Sequence, residues 1–171
     1  RILQAKYWCG LNHYKPVETR NLWQELNPPE VKYFNQQLYE QALTLLGNKQ
    51  NIVPLKNLEK LNVASIVIGD SANVPFSAAL QKYDRVNLFN LNKDANTNSV
   101  DSIIALLKPY NMVILSVHNT SISPERRYGI TDATLGLIEK LRGRCKFIID
   151  VFGNPYTLGV LNGWENAEAV L

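Results

Sequence analysis

The chain has 171 residues, 46% of them hydrophobic and 19% charged, a composition that fits one packed domain and excludes a disordered tail. Lys and Arg number 18 against 15 Asp and Glu, so the net charge is only +3 and the basic footprint of a dedicated nucleic-acid binder is missing. Apolar runs such as 112–115 stop well short of the roughly 18 residues a membrane-spanning helix needs, so no membrane span is expected.

Residues 1–11 carry Ile2, Leu3, Ala5, Trp8 and Cys9 in a helical pattern that Gly10 ends. The chain opens as if inside a helix, and is expected to be cut from a longer protein. Residues 12–29 are polar, with Pro16 and the pair Pro28-Pro29, and read as a connector. From Glu30 to Leu46 a second helix is expected, because Val31, Phe34, Leu38, Ala42 and Leu45 recur at spacings of three and four. Gly47-Asn48 then gives a left-handed stop signal.

Beyond that point the rhythm changes. Short aliphatic runs at 63–68, 86–89, 112–117 and 147–151 alternate with helical stretches near 77–82, 99–107, 132–141 and a helical turn near 156–161. Residues 167–171 look like the start of one more strand. Continuous apolar runs suit strands buried on both faces, and this alternation calls for right-handed crossovers and a parallel sheet. The expected fold class is α/β: a three-layer sandwich with a mostly parallel, doubly wound, flavodoxin-like sheet over 30–171. Because the last apolar run is cut at Leu171, that domain is expected to be truncated.

Cys9 and Cys145 share no ligand spacing with each other or with a histidine, so neither a metal site nor a disulfide framework is expected, and Cys145 reads as a small core residue. Lys140, Arg142, Arg144 and Lys146 around Gly143 read as the basic end of a helix. Trp8, Trp23 and Trp164 do not cluster with basic residues, and His13 lies in the connector, where docking against a missing partner is expected rather than metal binding.

In an open parallel sheet, ligands gather beyond the carboxyl ends of the strands, so two loops matter. The loop 69–73 has a single glycine and no phosphate-cradling fingerprint; it reads as a tight turn in which Asp70 or Ser71 caps the next helix. The loop His118–Gly129 is long and holds His118, Asn119, Glu125, Arg126 and Arg127. A histidine and a carboxyl can do acid–base work if both reach one substrate atom. The plainer alternatives are a hydrogen-bonded histidine at a strand end and a solvated ion pair between Glu125 and the arginines. No nucleophile elbow and no second carboxylate at an obvious spacing accompanies them. Thr131-Asp132 reads as the cap of the helix that follows.

Four phrases in order resemble the C-terminal part of family 3 glycoside hydrolases, especially their β-N-acetylhexosaminidase-like branch. They are 2–11 (ILQAKYWCGL), 38–48 with 52–55 (LYEQALTLLGN and IVPL), 67–72 (VIGDSA) and 151–156 (VFGNPY). The resemblance implies that 1–11 is the last helix of a catalytic TIM barrel that is otherwise missing, 12–29 a linker, and 30–171 the sandwich domain. It places the nucleophilic aspartate upstream of Arg1. In the hexosaminidase-like branch a histidine–aspartate acid/base also lies on the barrel, whereas in the glucosidase-like branch the sandwich domain lends a glutamate. Glu125-Arg126-Arg127 stands where the glucosidases carry a Glu-Gly-x-Asp-Arg-like element, without its Gly and Asp.

The resemblance therefore implies an accessory domain that packs on the barrel and borders the cleft of an enzyme cleaving terminal β-linked N-acetylglucosamine-type or glucose-type residues. The chain alone is expected to be inactive, with no cofactor, Glu125 as acid/base candidate, and His118, Asn119, Glu125 and Arg126 as cleft residues. A periplasmic or cell-surface parent follows from the same resemblance. The alternative is a free-standing flavodoxin-like module for a nucleotide or sugar.

Overall fold

A computed structural model of the chain describes every residue except Val17 and Asn73, so the expectation for the loop 69–73 falls at its last position outside the described residues. Two compact units emerge, Arg1–Leu43 and Thr44–Leu171. The division lies past residue 30, so the helix assigned from sequence to the sandwich groups with the N-terminal unit instead.

The N-terminal unit holds α1 (Ile2–Trp8), a 3₁₀ turn at Leu11–His13, α2 (Leu22–Leu26) and α3 (Pro29–Ala42). Gly10 adopts φ +73, as the stop signal required. The connector is not structureless, since α2 forms within it. Pro29 begins α3 at the position where a missing N–H costs nothing. No described residue of this unit is buried, and its large apolar side chains, among them Trp8, Trp23 and Phe34, lie exposed.

The expected run of α3 to Leu46 is four residues too long. Leu43 turns extended, because the segment after it is claimed by a sheet edge: Leu46 donates its backbone N–H to Val170 O at 2.8 Å. Gly47-Asn48 is not a left-handed cap but a short strand, β1 (Gly47–Asn48). The Asn48 side chain then staples the following turn by bonds to and from Val53 at 2.8 and 2.9 Å.

The second unit continues with β2 (Val63–Ile68), α4 (Pro75–Leu80), β3 (Asn87–Leu91), α5 (Thr97–Leu106), β4 (Met112–Val117), α6 (Asp132–Leu141), β5 (Lys146–Val151) and β6 (Ala169–Val170). The strands form one six-stranded sheet in the order β1-β6-β5-β4-β2-β3 among the described residues, parallel except for β1 against β6. Read over its parallel strands, this is the flavodoxin-like order, with β2 second from the edge and the reversal between β2 and β4. All six residues of β2 and of β4 are buried, which is why both runs are apolar without alternation.

Successive side chains still choose opposite faces. Ile66, Ile68, Leu115, Val117 and Ile149 pack with Val100 and Ile104 of α5 and Leu137, Ile138 and Leu141 of α6. Val63, Met112, Ile114 and Ile148 pack on the other side with Phe76 and Leu80 of α4 and with Ile52, Val53 and Leu55. Helices on both faces make the three-layer sandwich.

The left-handed cap expected at Gly143 in the basic cluster is a turn instead: α6 ends at extended Arg142, and Gly143, at φ +71, sits in the turn that Arg144 N–H closes on Leu141 O at 3.0 Å. Lys140 in that cluster reaches across to Asp101 of α5.

Candidate functional site

The strand order reverses at β2 and β4: the chain leaves β2 for β3 on one side and returns to β4 on the other. Their carboxyl ends therefore lead into two loops that start side by side at the switch point. Backbone bonds prolong the ladder past the strands themselves, with His118 N–H donating to Ile68 O and Phe152 N–H to Val117 O, each at 2.9 Å. This registers His118 beside Phe152, two residues beyond the facing pair Ser116 and Asp150.

The His118 ring stacks on Phe152 with centroids 4.3 Å apart and planes 12° from parallel, and Phe76 of α4 meets Phe152 edge-on at 5.3 Å. His118 Nε2 is buried without a hydrogen-bond partner among the described residues. Burial lowers the pKa of this imidazole, against a smaller opposing pull from the Asp70 carboxylate. The shift favours the neutral imidazole.

Gly69 sits at φ +92, and a side-chain carbon there would press into the His118 carbonyl oxygen and Lys93 Cε. Glycine is required at this position because the two loops cross in contact. The expected capping by Asp70 or Ser71 is not found. The α4 N-cap is Val74, with no side-chain cap bond, and Asp70 instead closes a local turn by accepting from Ser71 N–H at 2.7 Å. From β3, the Asn90 amide donates to Val67 O at 3.2 Å and also to Asp70 O, so it ties both ends of the turn to the sheet. Gly69, Asp70, Asn90, Asn92, Lys93 and Asn119 border an open crevice of about 350 Å³.

The second loop has a pinned root and an open tip. At the root, Lys93 Nζ donates to Asn119 O at 2.6 Å, Thr120 Oγ1 to Phe152 O at 3.0 Å and Asn154 Nδ2 to Ser121 O at 3.2 Å. Ser121 N–H to Tyr128 O, at 2.8 Å, closes the loop on itself around a 3₁₀ turn over Pro124–Gly129. Arg127 and Tyr128 both take positive φ, 48° and 52°, inside that turn. Non-glycine residues hold this conformation only where their surroundings enforce it. Tyr128 stacks against Tyr156 at 6.1 Å, and Arg127 pairs with Asp132 at 2.9 Å.

The four residues singled out from sequence therefore divide. Asn119 borders the crevice and His118 precedes it, stacked on Phe152, whereas Glu125 and Arg126 stand exposed on the tip, with no side-chain bond to either among the described residues. The expected Glu125–arginine ion pair is replaced by Arg127–Asp132, because the left-handed turn carries Arg127 toward the start of α6. Thr131 does occupy the N-cap of α6, but its hydroxyl meets Thr134 Oγ1 at 3.3 Å instead of a backbone N–H. The sequence reading passed over Lys93, Asn90, Phe76 and Phe152. For Lys93 and Phe152 the available signal was position, just past the carboxyl ends of β3 and β5.

This geometry can orient a polar ligand and hold its loops in place.

No family model matches the chain, and a search among curated proteins finds no match. Solved structures do match. A β-glucosidase from Listeria innocua, in complex with laminaribiose, superposes with a TM-score of 0.72 at 15% identity over 99% of this chain and 26% of its own. A glycoside hydrolase family 3 β-N-acetylglucosaminidase from Paenibacillus matches with a TM-score of 0.63 at 15% identity, over 99% of this chain and 32% of its own. The fold is that of part of a family 3 glycoside hydrolase. A β-glucoside phosphorylase also shares it, with a TM-score of 0.63 at 15% identity over 99% of this chain and 31% of that one. The chain thus spans between a quarter and a third of the length of the enzymes it matches.

Proposed function

We propose that the chain is the accessory α/β domain of a glycoside hydrolase that removes terminal β-linked N-acetylglucosamine-type or glucose-type residues. It packs on a catalytic TIM barrel and borders the substrate cleft with the loops after β2 and β4, without supplying the nucleophile. The observation that carries this reading is the match of 99% of the chain to only 26–32% of three carbohydrate-active enzymes. Residues 1–11 are read as the last barrel helix and 12–29 as the linker to the sandwich. The exposed apolar side chains of α1, α2 and α3 support a partner on those helices, since such faces ordinarily mark an interaction surface. Glu125 keeps the role of acid/base candidate on the loop tip, and His118, Asn119 and Arg126 that of cleft residues.

The test is release of a chromogenic aglycone from β-glucosides and β-N-acetylglucosaminides, with and without inorganic phosphate. It is run on this chain and on a longer polypeptide that contains it. Silence from the chain and turnover by the longer protein is the expected result, with the preferred sugar naming the branch. Excising the tip at 122–127 should then change kcat or KM. Turnover by the chain alone, or a tip deletion that changes neither constant, overturns the proposal. Flavin absorbance or a thermal shift with nucleotides would instead favour the free-standing module.

A further inference from the structure

We infer that Lys93 is a positioning residue that sets the glycan-facing conformation of the loop His118–Gly129, by a single ammonium group placed where three loops converge. The inference rests on the proposed reading that this loop borders a carbohydrate.

Lys93 lies two residues past the end of β3, yet its contacts are with the loops after β2 and β4. Its stem runs past Gly69, where Cε fills the space a side chain would need, and Nζ ends between Asn119 O and Gly129. A side-chain carbon on Gly129 would lie 3.2 Å from Nζ and 3.1 Å from Ser121 N, so the cation that bonds Asn119 near the start of the loop also lies close to Gly129 at its end. Two glycines with positive φ, at 92° for Gly69 and 82° for Gly129, thus make room for one lysine.

The remaining constraints on the loop act elsewhere. Thr120 and Asn154 tie the root to the segment after β5, and the Ser121–Tyr128 bond closes the loop internally. The His118–Ile68 backbone bond ties the start of the loop to β2, and Lys93 is the side chain among the described contacts that reaches from the end of β3 to Asn119 and toward Gly129. Burial lowers the pKa of the ammonium, with the Asp94 carboxylate opposing that shift. Asn119, the residue whose carbonyl it holds, is itself at φ +51, a conformation asparagine tolerates but does not prefer. The bond to Lys93 acts on Asn119 itself, between the His118–Ile68 and Thr120–Phe152 bonds on either side. The Asn119 side chain, a candidate for sugar hydroxyls, takes its direction from it.

The test uses the 171-residue chain with Lys93→Met, which keeps the stem and removes the ammonium, and Lys93→Arg as the conservative partner. Amide hydrogen exchange without sugar reads the strut. Exchange at Ser121 and Tyr128 should quicken about tenfold in Lys93→Met, with β2 and β4 unchanged and with recovery in Lys93→Arg. Unchanged exchange in the loop, or loss of protection throughout the sheet, overturns the inference. Titration of a longer polypeptide that contains the chain with laminaribiose and N-acetylglucosamine, followed by amide shifts of residues 118–129, reads the function. The expected result is a response in the unsubstituted protein that weakens about tenfold in Lys93→Met while the melting temperature holds. An equal response in both proteins overturns the positioning role alone. No response in the unsubstituted longer protein removes the glycan reading, and the inference falls with it.

Discussion

Replacing Gly69 by alanine should cost more than a glycine substitution at positive φ usually does, and Gly143 supplies the control. Both glycines lie in the left-handed region, at φ +92 and +71, but nothing lies within 4 Å of a side-chain carbon built on Gly143. Gly143→Ala therefore pays only conformational strain, about 1–2 kcal/mol, part of which is returned by a stiffer unfolded chain, leaving about 1 kcal/mol. Gly69→Ala adds a collision with the His118 carbonyl oxygen, a backbone atom held by the His118–Ile68 bond at 2.9 Å. Backbone cannot rotate aside, so the carboxyl ends of β2 and β4 must part. Overpacking of this kind adds roughly 1–3 kcal/mol, for a total of about 2–4. Urea unfolding followed by fluorescence of half-buried Trp164, with Trp8 and Trp23 changed to Phe, isolates the sandwich unit. The amide of His118 should shift in Gly69→Ala and stay in place in Gly143→Ala. If the two variants unfold at the same urea concentration, the crossing of the two loops contributes nothing, and the account of the site built on it is wrong.

Leu137→Ala removes a fully buried side chain from the centre of the α5–α6 face and should cost about 2–5 kcal/mol, whereas Leu106→Ala, at a position 56% exposed, should stay within about 0.5 kcal/mol in the same urea assay. Burial raises the Asp150 carboxyl to about 7 from an unfolded value of 3.8, so the folded state binds the extra proton between those values. Stability should therefore fall as pH rises from 4 to 7 and level off above, by on the order of 2–4 kcal/mol, and Asp150→Asn should abolish the slope; a wild-type slope of opposite sign would refute the assignment. Burial also raises the Cys145 thiol pKa, with Arg144 opposing, so iodoacetamide should modify exposed Cys9 well before Cys145 at pH 8, as peptide mass mapping would show.

What the sequence determined by itself was whatever depends on neighbours along the chain. The strands at 63–68 and 112–117 and the helix at 132–141 fall where periodicity put them, since each carries its whole hydrophobic pattern in one short window. The alternation of these elements was enough for a parallel three-layer sandwich. Tertiary structure decided the rest. The end of α3 and the strand at Gly47-Asn48 depend on Val170, more than a hundred residues away, whose backbone no local propensity can report.

The site divides in the same way. His118 and Asn119 were legible as polar residues at the end of an apolar strand. The stacking of Phe152 on His118 and the reach of Lys93 to Asn119 follow only from strand order, which brings β5 and β2 to either side of β4 and leaves β3 beyond β2. Glu125 and Arg126 looked equivalent to His118 in sequence. They separate because consecutive left-handed residues at Arg127 and Tyr128 fold the loop back, pinning its root and leaving its tip in solvent.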